Sequence, residues 1–146
     1  MTEQHPARGR PDANNCFVCG PDNPVGLRIA FHLDEQQICH GRFTPGQDHQ
    51  GFDGVTHGGI LFSVLDDVMA NWLFLQGIRG YTARCEVRFR APLPPATPVD
   101  LEGRCLKRKG RMVVMQGRVL RADSGELIAE AQATFMEEPE TSRPAV

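Results

Sequence analysis

The sequence predicts an α+β domain in which one long helix is wrapped by an antiparallel sheet of five to six strands. Three observations carry that expectation. Residues 59–76 are apolar nearly all round (Leu61, Phe62, Val64, Leu65, Val68, Met69, Trp72, Leu73, Phe74, Leu75), the mark of a buried helix. Most of the remaining folded region alternates with period two, the strand period. The last such segment puts Leu127, Ala129, Ala131, Ala133 and Phe135 on one face. Alanine fills little space, so something bulky must lie against that face, and the helix is the candidate.

In chain order, Ile29, Phe31 and Leu33 alternate with Arg28, Ala30 and His32, and residues 38–44 follow the turn at 34–37 as a weaker strand. After the helix, Ala83, Cys85, Val87 and Phe89 alternate with Arg84, Glu86, Arg88 and Arg90 until Pro92, Pro94 and Pro95 stop the strand. Val99, Leu101, Gly103 and Cys105 alternate with Asp100, Glu102, Arg104 and Leu106. A basic turn at residues 107–111 then returns the chain through 112–121, making a hairpin. The turn at 122–125 carries Gly125 where a glycine is favoured and leads into the strand at 126–136.

With 146 residues, 40% hydrophobic and 23% charged, the chain suits one domain, placed at residues 15–137. Residues 1–14 and 138–146 read as flexible tails: the first is polar with Pro6 and Pro11, and the second lacks apolar anchors. A net charge of −2 argues against a general nucleic-acid footprint. Residues 1–14 have no apolar signal region, and Asp66 and Asp67 interrupt the longest apolar stretch, so neither secretion nor membrane spanning is expected. The expectation is a soluble cytoplasmic protein whose five scattered cysteines are reduced thiols.

Two carboxylates inside a buried helix need explanation. Ser63, Asp67 and Asn71 fall at i, i+4 and i+8, one narrow polar stripe, which explains Asp67 as part of a solvated or subunit-facing seam. Asp66 lies off that stripe, among Phe62, Met69, Ala70 and Leu73. Burying an unpaired carboxylate is costly, so Asp66 is the candidate acid, base or nucleophile.

Gly58 and Gly59 stand at the helix start. They permit a tight turn, and their N–H groups, at the positive end of the helix dipole, also suit a developing oxyanion. His57 and His49 are candidate bases or ligands, but each is explained more simply, His57 as fixing the turn and His49 as part of the loop at 46–54. Cys16-Phe17-Val18-Cys19-Gly20 is half a zinc ribbon with no second half, so neither a metal nor a cofactor is expected. The cations of residues 107–111, with Arg84, Arg88 and Arg90, suit either a solvated sheet edge or the phosphates of an anionic ligand.

Together these residues resemble the hotdog-fold thioesterases, in particular the branch of the phenylacetic-acid-pathway enzymes and the mammalian mitochondrial acyl-CoA thioesterases. The resemblance is carried by Val55-Thr56-His57-Gly58-Gly59-Ile60, Leu65-Asp66, Tyr81-Thr82-Ala83, the segment from Val87 to Pro94, and Gly125-Glu126-Leu127-Ile128-Ala129. Cys16-x-x-Cys19-Gly20 with Asn23-Pro24-x-Gly26-Leu27 adds to it. It implies a hotdog fold and acyl-CoA hydrolysis: Gly58 donates to the thioester carbonyl, Asp66 acts as base or nucleophile, and Thr82 positions water. It also implies a homodimer or dimer-of-dimers tetramer, with each site shared between two subunits. Substrate contacts are expected from His49, Gly51, His57, Gly59, Phe62, Arg84, Arg108 and Lys109. One departure is Gly51, where some relatives place an Asn before the HGG.

Two rival readings are a hotdog enoyl-CoA hydratase or dehydratase using His57 or His49 with Asp66, and a non-catalytic acyl-CoA binding module with a groove around Phe52, Phe62 and Trp72.

Overall fold

The computed structural model describes residues 12–139. Most of the two expected tails lies outside these residues. Within them, Asp12 and Glu138 both pair with Arg79, holding the two ends of the described chain together.

One helix, α1 (Gly58–Leu75), lies against a six-stranded antiparallel sheet of β1 (His32–Leu33), β2 (Cys39–Phe43), β3 (Gly80–Phe89), β4 (Val99–Lys109), β5 (Met112–Arg121) and β6 (Leu127–Glu137). The strands lie in the order β1-β2-β4-β5-β6-β3. α1 begins where the His57 ring accepts the Gly59 N–H at 2.8 Å, a side-chain N-cap. It ends as the Gly77 N–H bonds the Phe74 carbonyl and the Ile78 N–H bonds that of Leu73. Its length and mean hydropathy of 1.4 would suit a membrane span, but half of it is buried within the fold, as in a core helix.

The helix lies close because the sheet makes room. Ala129, Ala131 and Ala133 are buried beneath it, and on β4 a Cβ at Gly103 would stand 2.6 Å from the Val68 carbonyl oxygen, a contact only glycine permits. Leu65, Val68 and Met69 pack there with Leu101, Met115 and Phe135, all fully buried. Burying a large side chain of this kind is worth about 1.5–3 kcal/mol.

The two sheet edges differ from each other and from expectation. The alternation at 28–33 yields only a two-residue strand, because Arg28 sits at φ 52° and the Leu27 and Ile29 N–H groups bond the carbonyls of Phe17 and Val18 instead of a neighbouring strand. At the other edge β3 runs ten residues, with Tyr81 and Phe89 each more than half exposed. A long unpaired edge of this kind is a ready surface for strand pairing.

Candidate active site

Thr82 meets Asp66 through a defect in β3. The register shifts between Thr82 and Arg84, so that Ala83 is an extra, bulged residue. Cys85, Val87 and Phe89 stand opposite the buried alanines of β6 and face the helix. Unbroken alternation would put Ala83 on that face. The bulge puts Thr82 there instead, opposite Phe135, and its Oγ1 donates to Asp66 Oδ1 at 2.6 Å. Cys85 lies close by; burial, and then the Asp66 charge, push its thiol above the usual cysteine range.

The burial of the two acids reverses the sequence expectation. Asp67, expected on a solvated or subunit-facing seam, is 7% exposed, and Asn71 on the same stripe is 5% exposed. Asp66, expected to be buried, is only half-buried. The loop carrying Cys16 and Cys19 covers the Asp67 stripe: Cys16 Sγ lies 3.7 Å from Asp67 Oδ1, and Asn71 Nδ2 donates to Asp67 Oδ2 at 3.0 Å. Period-3.6 counting separates the two acids correctly but cannot say which face a distant loop will cover. The Cys16 thiol, burial and the Asp67 charge, in that order, push the Cys19 thiol far up. All five cysteines are free thiols.

The helix start distributes its donors unequally. The Gly59 N–H is taken by His57 Nδ1, and those of Ile60 and Leu61 by the His57 carbonyl. The Gly58 N–H has no acceptor among the described residues. Gly58 lines an open cleft of about 310 Å³ with Leu61, Phe89, Arg90, Pro92 and Leu93.

Both histidines hold backbone. His49 Nδ1 accepts the Gly46 N–H at 2.8 Å, and its carbonyl accepts the His57 N–H at 2.8 Å. Gly51 bonds the Val55 carbonyl, and a Cβ there would meet His57 at ordinary contact distance. Phe62 is 39% exposed on α1, and Arg84 is exposed just past the bulge. Trp72, grouped above with Phe52 and Phe62, is buried with its indole N–H on the Gln37 carbonyl at 2.7 Å, so it offers a ligand little surface. Arg108 and Lys109 close β4, and Arg108 pairs with Glu137 at 3.2 Å. In register, Arg108 opposes Val113, Val113 opposes Phe135, and Phe135 opposes Thr82. This row sets the Arg108 backbone about 14 Å from that of Thr82, three strand spacings away.

The family model of the thioesterase superfamily matches residues 53–128, a span that contains Gly58, Asp66 and Thr82. The chain belongs to this superfamily. Among curated proteins it is 30% identical over 135 residues to an uncharacterized mitochondrial protein of Candida albicans (strain WO-1), covering 85% of this chain and 59% of that one. It is 28% identical over 128 residues to the acyl-coenzyme A thioesterase THEM4 of Bos taurus, covering 86% and 53%. The chain thus spans little more than half the length of these relatives. Among solved structures, a thioesterase superfamily protein superposes with a TM-score of 0.76 at 27% identity, over 82% of this chain and 61% of that one. The PaaI protein of the E. coli phenylacetic acid degradation operon superposes at 0.71 with 16% identity, over 77% and 81%, and so shares the fold. The hotdog fold and the PaaI-like resemblance read from the sequence are both borne out.

Proposed function

We propose that this protein hydrolyses acyl-CoA thioesters at sites formed between two copies of the chain. The observation that carries this reading is the Thr82–Asp66 hydrogen bond at 2.6 Å, together with a helix-start N–H on Gly58 that has no acceptor among the described residues. With its hydroxyl hydrogen engaged in the bond to Asp66, the Thr82 oxygen can only accept, so an attacking water donates to it and to the carboxylate. Asp66 takes the water proton as the oxygen adds to the thioester carbon, and the Gly58 N–H stabilises the resulting oxyanion. Collapse breaks the C–S bond, and the proton on Asp66 passes to the departing thiolate.

These groups do not meet within one protomer. Gly58 and Asp66 are eight residues apart on α1, about 12 Å along its axis, too far to act on one carbonyl. The free edge of β3 supplies the solution. Its midpoint falls between Arg84 and Cys85, so two copies pairing antiparallel about that point set Thr82 opposite the partner's Val87. The partner's Phe89 is then two residues, about 7 Å, further on. The Phe89 ring lies 3.5 Å from where a Cβ on Gly58 would stand, so this pairing carries the partner's helix start towards Asp66 and Thr82.

The superfamily supports the reading. One fold neighbour, a hypothetical thioesterase of Streptococcus pneumoniae, is solved with coenzyme A, and another, from Streptococcus mutans, with acetyl CoA. The S. pneumoniae protein has also been solved with one Asp, and separately one Thr, changed to alanine; those positions are sixteen apart, as are Asp66 and Thr82. Arg108, on the row described above, and Lys109 beside it are the cations proposed for the phosphates of the coenzyme arm, since an exposed pair such as Arg108–Glu137 is cheaply exchanged. The hydratase rival is less well supported: with Nδ1 of His57 and His49 each accepting a backbone N–H, a neutral ring carries its proton on Nε2 and has no lone pair left for a base.

The test is thiol release from aryl, short-chain and long-chain CoA thioesters, compared with Asp66→Asn. Release by the wild type that Asp66→Asn loses supports hydrolysis; thioester binding without release by either protein contradicts it.

A further inference from the structure

The geometry points to a second site on the other acid: Cys16, Cys19 and Asp67 form a binding site for a thiophilic divalent cation, zinc foremost, that fastens the loop at residues 13–20 to α1. The two sulfurs and an Asp67 carboxylate oxygen all lie within 4.8 Å of one another, and Cys16 Sγ is 3.7 Å from Asp67 Oδ1. Zinc with bonds of about 2.3 Å to sulfur and about 2.0 Å to oxygen, at tetrahedral angles, sets S···S near ~3.8 Å and S···O near ~3.5 Å. The three donors therefore reach a common ion with shifts on the order of an ångström or less.

The loop is shaped as a chelating turn. The Cys19 N–H points at Cys16 Sγ at 3.4 Å, and the Gly20 N–H closes on the Cys16 carbonyl at 2.9 Å. A Cβ on Gly20 would stand 2.3 Å from the Cys16 nitrogen and 2.5 Å from the Asn14 carbonyl oxygen, so only glycine closes this turn. An N–H directed at sulfur offsets the charge of a metal-bound thiolate. Asn71 supplies the outer support: Nδ2 donates to Asp67 Oδ2 at 3.0 Å and lies 3.8 Å from Cys19 Sγ, so one buried amide orients two of the three ligands.

Two thiolates and one carboxylate favour zinc over magnesium or calcium, which take oxygen sets. With half-buried Cys16 at the rim of the cluster, water completes the fourth position. Cys16 and Asp67 are 51 residues apart, so the ion crosslinks the loop to the helix that bears Asp66. This inference does not depend on the thioesterase reading, because metal uptake is measured without substrate.

The full-length chain, prepared under reductant and stripped with chelator, is expected to take up about one zinc per chain and to show a Tm that rises with zinc concentration. Cobalt in place of zinc should give a thiolate-to-metal charge-transfer band in the near ultraviolet. The Cys16→Ser/Cys19→Ser double variant and Asp67→Asn should lose zinc uptake and weaken or abolish that band, while Cys105→Ser keeps both. Where a variant fails to fold, the wild type still decides: stoichiometric zinc should protect Cys16 and Cys19 from alkylation, and leave Cys85 and Cys105 unprotected, in peptide mass spectra. Unprotected thiols, a cobalt complex without the band, zinc retained by the folded double variant, or a Cys16–Cys19 disulfide formed without zinc uptake would each overturn the site.

Discussion

Asp66 and Asp67 are neighbours on one helix, with the same side chain and opposite surroundings. Asp66 is half-buried, faces the edge strand β3 and holds the Thr82 hydroxyl. Asp67, about 100° further round the helix, is buried under the cysteine loop and fixed by Asn71. An acid beside an unpaired sheet edge can be reached by substrate and by a partner subunit. An acid wedged between helix and loop can only organise structure. Accessibility, not burial, separates the proposed catalytic carboxylate from the structural one here.

Substitution at the two acids should separate activity from stability. Asp66→Asn is expected to lower kcat for CoA thioesters by about 10²–10⁴, the usual worth of a general base, with little change in the urea midpoint. Asp67→Asn should keep most of the activity and lose about 1–3 kcal/mol of stability, because its new amide group faces that of Asn71. The reverse pattern in paired kinetic and urea measurements would overturn the assignment.

The proposed oxyanion donor can be removed at a position that accepts proline. Gly58 is the first helical residue, where proline is tolerated, and His57 at φ −62° and ψ 135° already has the conformation a following proline requires. Gly58→Pro should therefore fold while losing about 10²–10³ in kcat, the cost of one oxyanion donor. Gly58→Ala keeps the N–H and should fall far less, since its methyl meets Phe89 only at 3.5 Å. Equal losses in the two variants would show that space, not the N–H, matters there.

Smaller effects are expected around these groups. Thr82→Val removes the exposed hydrogen bond that orients Asp66 and should cost roughly tenfold to a hundredfold in kcat with a modest fall in melting temperature. Asp34 is remote from the site. The Ile38 N–H and the His40 ring hold its carboxyl below its ordinary 3.8. A lowered carboxylate contributes stability above its unfolded value and loses it as pH falls through the native one. Urea midpoints below pH 3.8 should thus fall less steeply for Asp34→Asn than for the wild type.

The helix and the strands from β3 to β6 were legible because their periodicity is local and strong: alanines at every second position of β6 already ask for a helix above them. The β4–β5 hairpin and the turn at Gly125 were legible for the same reason. The short β1 was not, since Leu27 and Ile29 turn their backbone bonds to the cysteine loop. The bulge at Ala83 left no mark in the apolar alternation, although it alone brings Thr82 round to the helix. Asp67 was misread because the loop that covers it lies about fifty residues away in the chain. Asp66 and Gly58 could be picked out from the helix face and the helix start, and Thr82 only through the family resemblance, but the separation of Gly58 from Asp66 on one helix acquires meaning only with the edge of β3 in view.

The proposed shared site is tested most directly by mixing two inactive proteins. Asp66→Asn and Gly58→Pro subunits, unfolded together and refolded at equal amounts, pair at random, and each mixed dimer holds one intact site composed of Gly58 from one chain and Asp66 with Thr82 from the other. The account predicts recovery of about one quarter of wild-type thioesterase activity from 1:2:1 pairing in a two-fold dimer. No recovery, with mixed dimers confirmed by mass spectrometry, would place the whole site within one chain and contradict it.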